Sequence, residues 1–159
     1  MEVRLKKEIL GIQFDDLTRS EAAQAGAALL DEDKFHYVVS PNPEFILAAE
    51  RDSEFRQVLN GADLVLADGI GVVYSAKIQG TPLKGRVPGI EFAADMLNCL
   101  NQRGGRLYLL GAKPGVAEEA GRNIVEQHPN ITLCGTQDGY FSDEEAVLLK
   151  VAAAHPDLL

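Results

Sequence analysis

Asp63-Leu64-Val65-Leu66-Ala67-Asp68-Gly69-Ile70-Gly71 is the stretch on which the reading of this chain turns. A short apolar run ends on a carboxylate, and two glycines lead into a further apolar segment. That is the pattern of a buried strand, a tight turn and a helix. In open α/β sheets, ligands bind beyond the carboxyl ends of the strands. An acid placed there is a candidate general base. The same acid would also serve as an N-cap for the next helix.

Outward from this unit, strands and helices alternate. Glu8–Phe14 reads as a strand. Thr18 with Glu21 is a capping box opening a helix to Leu30. Phe35–Val39 is a strand leading into Ser40-Pro41-Asn42-Pro43, and Pro43 suits the first turn of a helix carrying Phe45, Ile46 and Leu47. A helix over Ser53–Leu59 stops at Asn60-Gly61, and the strand Leu64–Ala67 precedes a helix through Val72, Val73 and Ala76. Gly80–Gly89 is a Gly/Pro-rich loop, followed by a helix from Ile90 to about Gln102. Leu107–Leu110 is a strand, and Gly111-Ala112-Lys113-Pro114-Gly115 turns into a helix with Val116, Ala120, Ile124 and Val125 on one side. Ile131–Cys134 is a strand, and Ser142 with Glu145 reads as a capping box for a last helix to Ala154. The expected class is α/β, a Rossmann-like, mostly parallel sheet with helices on both faces, in a single domain over residues 1–159.

Composition bounds the function. The chain has 159 residues, 46% hydrophobic and 25% charged, enough for one folded core. A net charge of −9 argues against nucleic acid as a partner, which needs clustered Lys and Arg. Met1–Lys7 is charged and has no apolar run behind it, unlike a signal peptide, and no window approaches the ~18 apolar residues of a membrane span. Cys99 and Cys134 form neither a disulfide framework nor a metal motif, so the chain reads as cytoplasmic. His155-Pro156-Asp157-Leu158-Leu159 looks like a helix exit and the start of a strand, so the sequence reads as cut short within its domain.

Three loops follow strands: Ser40–Pro43, Asp68–Gly71 and Gly111–Gly115. One parallel sheet would set all three on its carboxyl edge. Glycines allow backbone N–H groups to face a phosphate, and a helix N-terminus adds a favourable dipole. Lys113 would add a point charge. Each loop alone is equally well a plain strand-to-helix turn. Gly69-Ile70-Gly71-Val72-Val73-Tyr74 resembles the start of a dinucleotide fingerprint, but Tyr74 stands in place of the third glycine. Asp31-Glu32-Asp33 is formally Asp-x-Asp, yet it lies in a polar turn and reads as a solvated cluster. No His/Cys/carboxylate set has zinc spacing. Arg86, in the long loop, suits a phosphate or carboxylate; a surface arginine is the plainer alternative. Tyr140 could stack on a base.

Ser40-Pro41-Asn42-Pro43-Glu44, Ala67–Val72, Gly85-Arg86-Val87-Pro88-Gly89 and Leu110–Gly115 together resemble the WecG/TagA/CpsF family of bacterial glycosyltransferases, most closely its members in wall teichoic acid synthesis. The resemblance implies transfer of N-acetylmannosamine from its UDP donor to undecaprenyl-diphosphate-linked N-acetylglucosamine, with inversion and without a metal or other cofactor. It implies Asp68 as the base on the acceptor's 4-hydroxyl and Arg86 on diphosphate charge. Asn42 and Ser40 would position substrate, with Gly69 and Gly71 beside them. Gly111, Ala112, Lys113, Gly115 and Tyr140 would hold UDP. It further implies a continuation past Leu159 that attaches to the cytoplasmic face of the membrane and completes the site. This stretch alone is then expected to bind UDP-sugar poorly and turn over slowly, and homo-oligomerisation stays open. Two alternatives stand beside this reading: a nicotinamide-dependent oxidoreductase, from Gly69-x-Gly71, and a noncatalytic nucleotide-sugar binding module in which Asp68 is only a cap.

Overall fold

The computed structural model describes residues 4–159. Of the N-terminal segment read above as unlike a signal peptide, Met1–Val3 lie outside the described residues. The architecture is α/β, organised as two compact units, one ending at Asp95 and the other spanning Met96–Leu159.

The first unit opens with β1 (Lys6–Ile9) and β2 (Ile12–Asp15), an antiparallel pair in which Ile9 faces Ile12. The sequence pattern suggested one strand here. The chain instead reverses at Leu10-Gly11, where both residues have positive φ (51° and 83°), as a two-residue type I′ hairpin requires. Next come α1 (Arg19–Leu29), β3 (Val38–Val39), α2 (Pro43–Arg51), α3 (Ser53–Asn60), β4 (Leu64–Val65), α4 (Ile70–Ile78) and the start of α5 (Gly89–Arg103). Strands β3 and β4 are parallel, Val38 with Leu64 and Val39 with Val65. Helices α2 and α3 form the crossover between them, a β-α-β arrangement of Rossmann type. Both strands are shorter than the sequence pattern suggested. At their amino ends the backbone pairing continues, the Asp63 amide donating to Tyr37 O (3.0 Å), and the Asp63 carboxylate adds side-chain bonds, accepting from the Tyr37 amide (3.1 Å) and meeting His36 Nδ1 (2.8 Å).

The core of this unit contains Ile9, Ile12, Phe14, Ile46, Ala49, Leu59, Val65, Ala67, Val72 and Ala76. The fully buried Asp15 carboxylate joins β2 to β4 by accepting from the Val65 amide at 2.9 Å. Helix α1 starts as expected, with Thr18 and Glu21 closing both halves of a capping box.

The second unit holds β5 (Arg106–Leu110), α6 (Val116–Gln127), β6 (Thr132–Gln137) and α7 (Glu144–Ala154). Strands β5 and β6 are parallel, with a register shift between Leu107 and Tyr108, and α6 is their crossover. Strand β6 runs three residues beyond the expected Cys134. The cap of α7 is Asp143, whose carboxylate accepts from the Ala146 amide at 2.9 Å, rather than Ser142. On the other side of β5, Leu158 forms a parallel bridge with Leu107, as the terminal strand-like residues suggested. Leu100, Leu107 and Ile131 form the buried centre of this unit.

Candidate active site

Two of the three loops meet at the carboxyl ends of β3 and β4. Beyond the ladder, the Leu66 amide donates to Val39 O (2.8 Å), which carries the pairing up to Ser40 on one strand and Ala67 on the other. A third segment joins there. The amide of buried Val87 donates to Ala67 O at 2.9 Å. Arg86 and Asp68 are therefore each one residue from a bonded pair.

Asp68 does not cap its own helix. The N-cap of α4 is Gly69, at φ 94°, and no side chain closes that end. Asp68 Oδ2 instead accepts from the amide of Gly89, the first residue of α5, at 3.2 Å. The carboxylate thus sits at the N-terminal end of a helix 21 positions away. A carboxylate is favoured there by the exposed amides and the helix dipole. Oδ1 has no hydrogen-bond partner among the described residues.

Gly89 is the residue that sequence reasoning missed. A Cβ at this position would lie 2.5 Å from Ser40 Oγ and 3.7 Å from Asp68 Oδ2. The missing side chain is what lets Ser40, Asp68 and the start of α5 come together. The signals in the sequence are the Pro88-Gly89 pair just before a predicted helix and the place of Gly89 at the end of the Gly85–Gly89 block that carries the family resemblance.

The other glycines of the loop serve packing. A Cβ on Gly71 would lie 2.8 Å from Pro43 Cγ, and one on Gly69 would lie 3.3 Å from Pro43 Cδ. The first turns of α2 and α4 press together there. In the dinucleotide pattern, the second glycine leaves room for a pyrophosphate; here that room holds the Pro43 ring. Asn42 caps α2, with Oδ1 accepting from the Glu44 and Phe45 amides at 2.9 and 3.2 Å. Its Nδ2 remains available to a ligand.

Arg86 is exposed and makes no side-chain hydrogen bond or ion pair among the described residues. By contrast, Glu32 of the Asp31-Glu32-Asp33 run is paired with Lys34 (2.7 Å) and His36 (3.3 Å). The lysine hydrogen bond, with smaller help from the histidine, overcomes desolvation and holds the Glu32 carboxyl below its ordinary value.

The third loop belongs to the second unit. Gly111 (φ 131°), Ala112 (φ 62°) and Gly115 (φ 86°) make a turn of positive dihedrals that ends as the cap of α6. The Gly111 amide donates to Gln137 O (2.8 Å) and the Gly139 amide to Ala112 O (2.9 Å), so the turns after β5 and β6 lie side by side. A hollow of about 200 Å³ opens between the end of β5, this turn and Val116, Ala117 and Ala120 of α6. It is smaller than the ~300–1,000 Å³ of a complete small-molecule site. Lys113 is exposed, and Tyr140 is 72% exposed, with its amide bonded to Asp138 Oδ1 at 2.8 Å.

The chain is similar to the N-acetylglucosaminyldiphosphoundecaprenol N-acetyl-beta-D-mannosaminyltransferase of Bacillus spizizenii, 35% identical over 130 residues, covering 82% of this chain and 51% of the relative. It is 34% identical over 118 residues to the enzyme of the same name from Bacillus subtilis, covering 74% and 46%. It is 28% identical over 157 residues to that of Staphylococcus aureus, covering 97% and 61%. The chain therefore spans between about half and three-fifths of these relatives' length. The model of the glycosyl transferase WecG/TagA/CpsF family matches residues 7–159, which takes in both units and all three loops. By that match this chain belongs to the WecG/TagA/CpsF family of glycosyl transferases.

Proposed function

We propose that this chain carries the donor- and acceptor-activating residues of an inverting glycosyltransferase. It would transfer N-acetylmannosamine from UDP-N-acetylmannosamine to the 4-hydroxyl of N-acetylglucosamine-diphospho-undecaprenol. The observation that carries this reading is Asp68. Its carboxylate stands at the strand ends, held through Oδ2 by the Gly89 amide and beside Ser40, with Oδ1 unengaged.

Inversion needs one displacement, one base and charge stabilisation on the leaving group. Asp68 takes the proton of the acceptor hydroxyl as that oxygen attacks the sugar's anomeric carbon. The bond to the diphosphate breaks, and UDP departs with the electron pair. Arg86, exposed and unpaired, meets the charge that develops on the diphosphate. Ser40 and the Nδ2 of Asn42 are positioning groups for the sugar. Gly69 and Gly71 hold these loops together, and Gly111, Ala112, Lys113, Gly115 and Tyr140 are assigned to nucleotide contact. The acceptor is lipid-linked, so the reading implies work at a membrane surface, although no described helix is long and apolar enough to cross one.

Two substitutions separate a base from a cap. Asp68→Asn keeps an oxygen for the Gly89 amide but cannot take a proton. It should lower UDP release in the presence of a soluble lipid-linked acceptor analogue by about 100- to 10,000-fold, with the melting temperature unchanged. Asp68→Ala also removes the bond to α5 and should cost about 0.5–2 kcal/mol of stability. Release of UDP by Asp68→Asn at the wild-type rate would show that Asp68 is not the base.

A further inference from the structure

The loop that carries Arg86 is tied down from a place the reaction does not use. Asp16 follows β2, and its carboxylate is 4% exposed. Oδ1 accepts from the backbone amide of Lys84 at 2.7 Å, and Oδ2 pairs with Lys7 Nζ at 2.8 Å. Lys7 Nζ also donates to Pro82 O, so one lysine links the buried carboxylate to a second point of the loop. Lys84 is held at its other end as well: Nζ donates to Glu21 Oε1 at 2.7 Å, while Glu21 Oε2 stays in the α1 capping box. Leu83 packs against the core between these anchors.

Past Lys84 the next fixed point is Val87, bonded to Ala67. Only Gly85 and Arg86 lie between. Three links of chain reach at most about 10 Å, so fixing Lys84 and Val87 leaves the Arg86 backbone little room. Gly85 has nothing within 4 Å of where its Cβ would stand. A side chain there would find no partner to hold it, so the place of the bridge is set by its two ends.

We propose that Asp16 is a positioning residue for Arg86: by holding the Lys84 amide from the protein interior, it sets where the arginine meets the diphosphate of a nucleotide ligand. The inference rests on the reading of Arg86 given above. A burial of this kind is maintained because the carboxylate is fully used. Desolvation would push its pKa up, but the Lys7 hydrogen bond and the Lys84 amide outweigh it and hold it below the ordinary value. The exposed Glu21–Lys84 pair is the weaker part of the clamp, as exposed pairs are. The amide bond to a buried oxygen is the part that restricts backbone.

A double-mutant cycle on UDP affinity, measured by titration calorimetry, tests this. Arg86→Ala should weaken UDP binding about tenfold, as loss of one charge-assisted contact does. Asp16→Ala should weaken it by about three- to tenfold, and in the Arg86→Ala background it should change the affinity by less than about twofold. Asp16→Asn, which keeps an oxygen for the Lys84 amide, should fall between wild type and Asp16→Ala. It carries the same cycle if the alanine variant fails to fold. If either Asp16 variant has its full effect with Arg86 already removed, or none with Arg86 present, Asp16 does not act through Arg86. If Arg86→Ala alone leaves UDP affinity unchanged, the reading of Arg86 fails first and takes the inference with it.

Discussion

At Gly89 a hydrogen atom occupies the place where a methyl group would collide with Ser40. Gly89→Ala would force Ser40 or the first turn of α5 to move, and overpacking of this kind costs about 1–3 kcal/mol. We expect a lower melting temperature and at least tenfold slower transfer. Adding Ser40→Gly should restore the melting temperature, because both atoms within 3.2 Å leave with the side chain. Activity should not return, since the hydroxyl leaves too. Asp68 could be found in the sequence because a carboxylate after an apolar run is a local pattern. Its partner could not: Gly89 lies across the whole of α4 and the long loop. The same holds for Asp16 and Lys84, which are 68 positions apart. A residue's type shows what it can do, but a partner at that separation is set by the tertiary fold.

Among elements, helix starts were the most legible. Thr18 with Glu21, Asn42 with Pro43, and Gly115 each act within four residues, so the reading needs no tertiary information. Where two caps overlapped, Ser142 and Asp143, local pattern favoured the wrong one, because either oxygen can reach an amide three residues on. The β1–β2 hairpin was missed for a different reason. Loose alternation continued through Leu10-Gly11, and leucine is a poor signal for a positive φ. That gives a direct prediction. Leu10 is 55% exposed at φ 51°, where asparagine is tolerated far better. Leu10→Asn should stabilise the protein by about 1 kcal/mol, read as a higher denaturant midpoint with unchanged slope. Strands β3 and β4 are shorter than the pattern suggests, although backbone bonds continue at both ends, from the Asp63 amide to Tyr37 O and from the Leu66 amide to Val39 O.

For the molecule as a whole, acidity is organised rather than diffuse. Arg19 grips Asp95 through two bonds (2.8 and 2.9 Å) and Glu91 through one (2.7 Å), joining α1 to α5 within the first unit. The hydrogen bonds from Arg19 hold the Asp95 carboxyl below its ordinary value. Lys84 and the Thr18 amide pull Glu21 down to about 2. Such groups release protons more readily folded than unfolded. Their stabilisation is present above the unfolded values, 3.8 for Asp and 4.5 for Glu, and is lost as pH falls through the folded ones. The melting temperature should therefore drop as pH falls below about 4.5. Glu21→Gln should flatten that drop between 4.5 and about 2, measured as melting temperature against pH. The α/β class is readable from strand–loop–helix order, because that alternation is a local pattern of the sequence, and the resemblance to the family rests on four short blocks in a fixed order along it. The division into two compact units was not, since no change of composition marks it.

The empty space around Gly85 has a practical side. A Cβ added at Gly85 has no atom from elsewhere in the protein within 4 Å, and position 85 stands next to Arg86. The two native cysteines are both partly covered. A spin label or fluorophore at position 85 would therefore report on the arginine loop from beside Arg86, between the anchors at Lys84 and Val87.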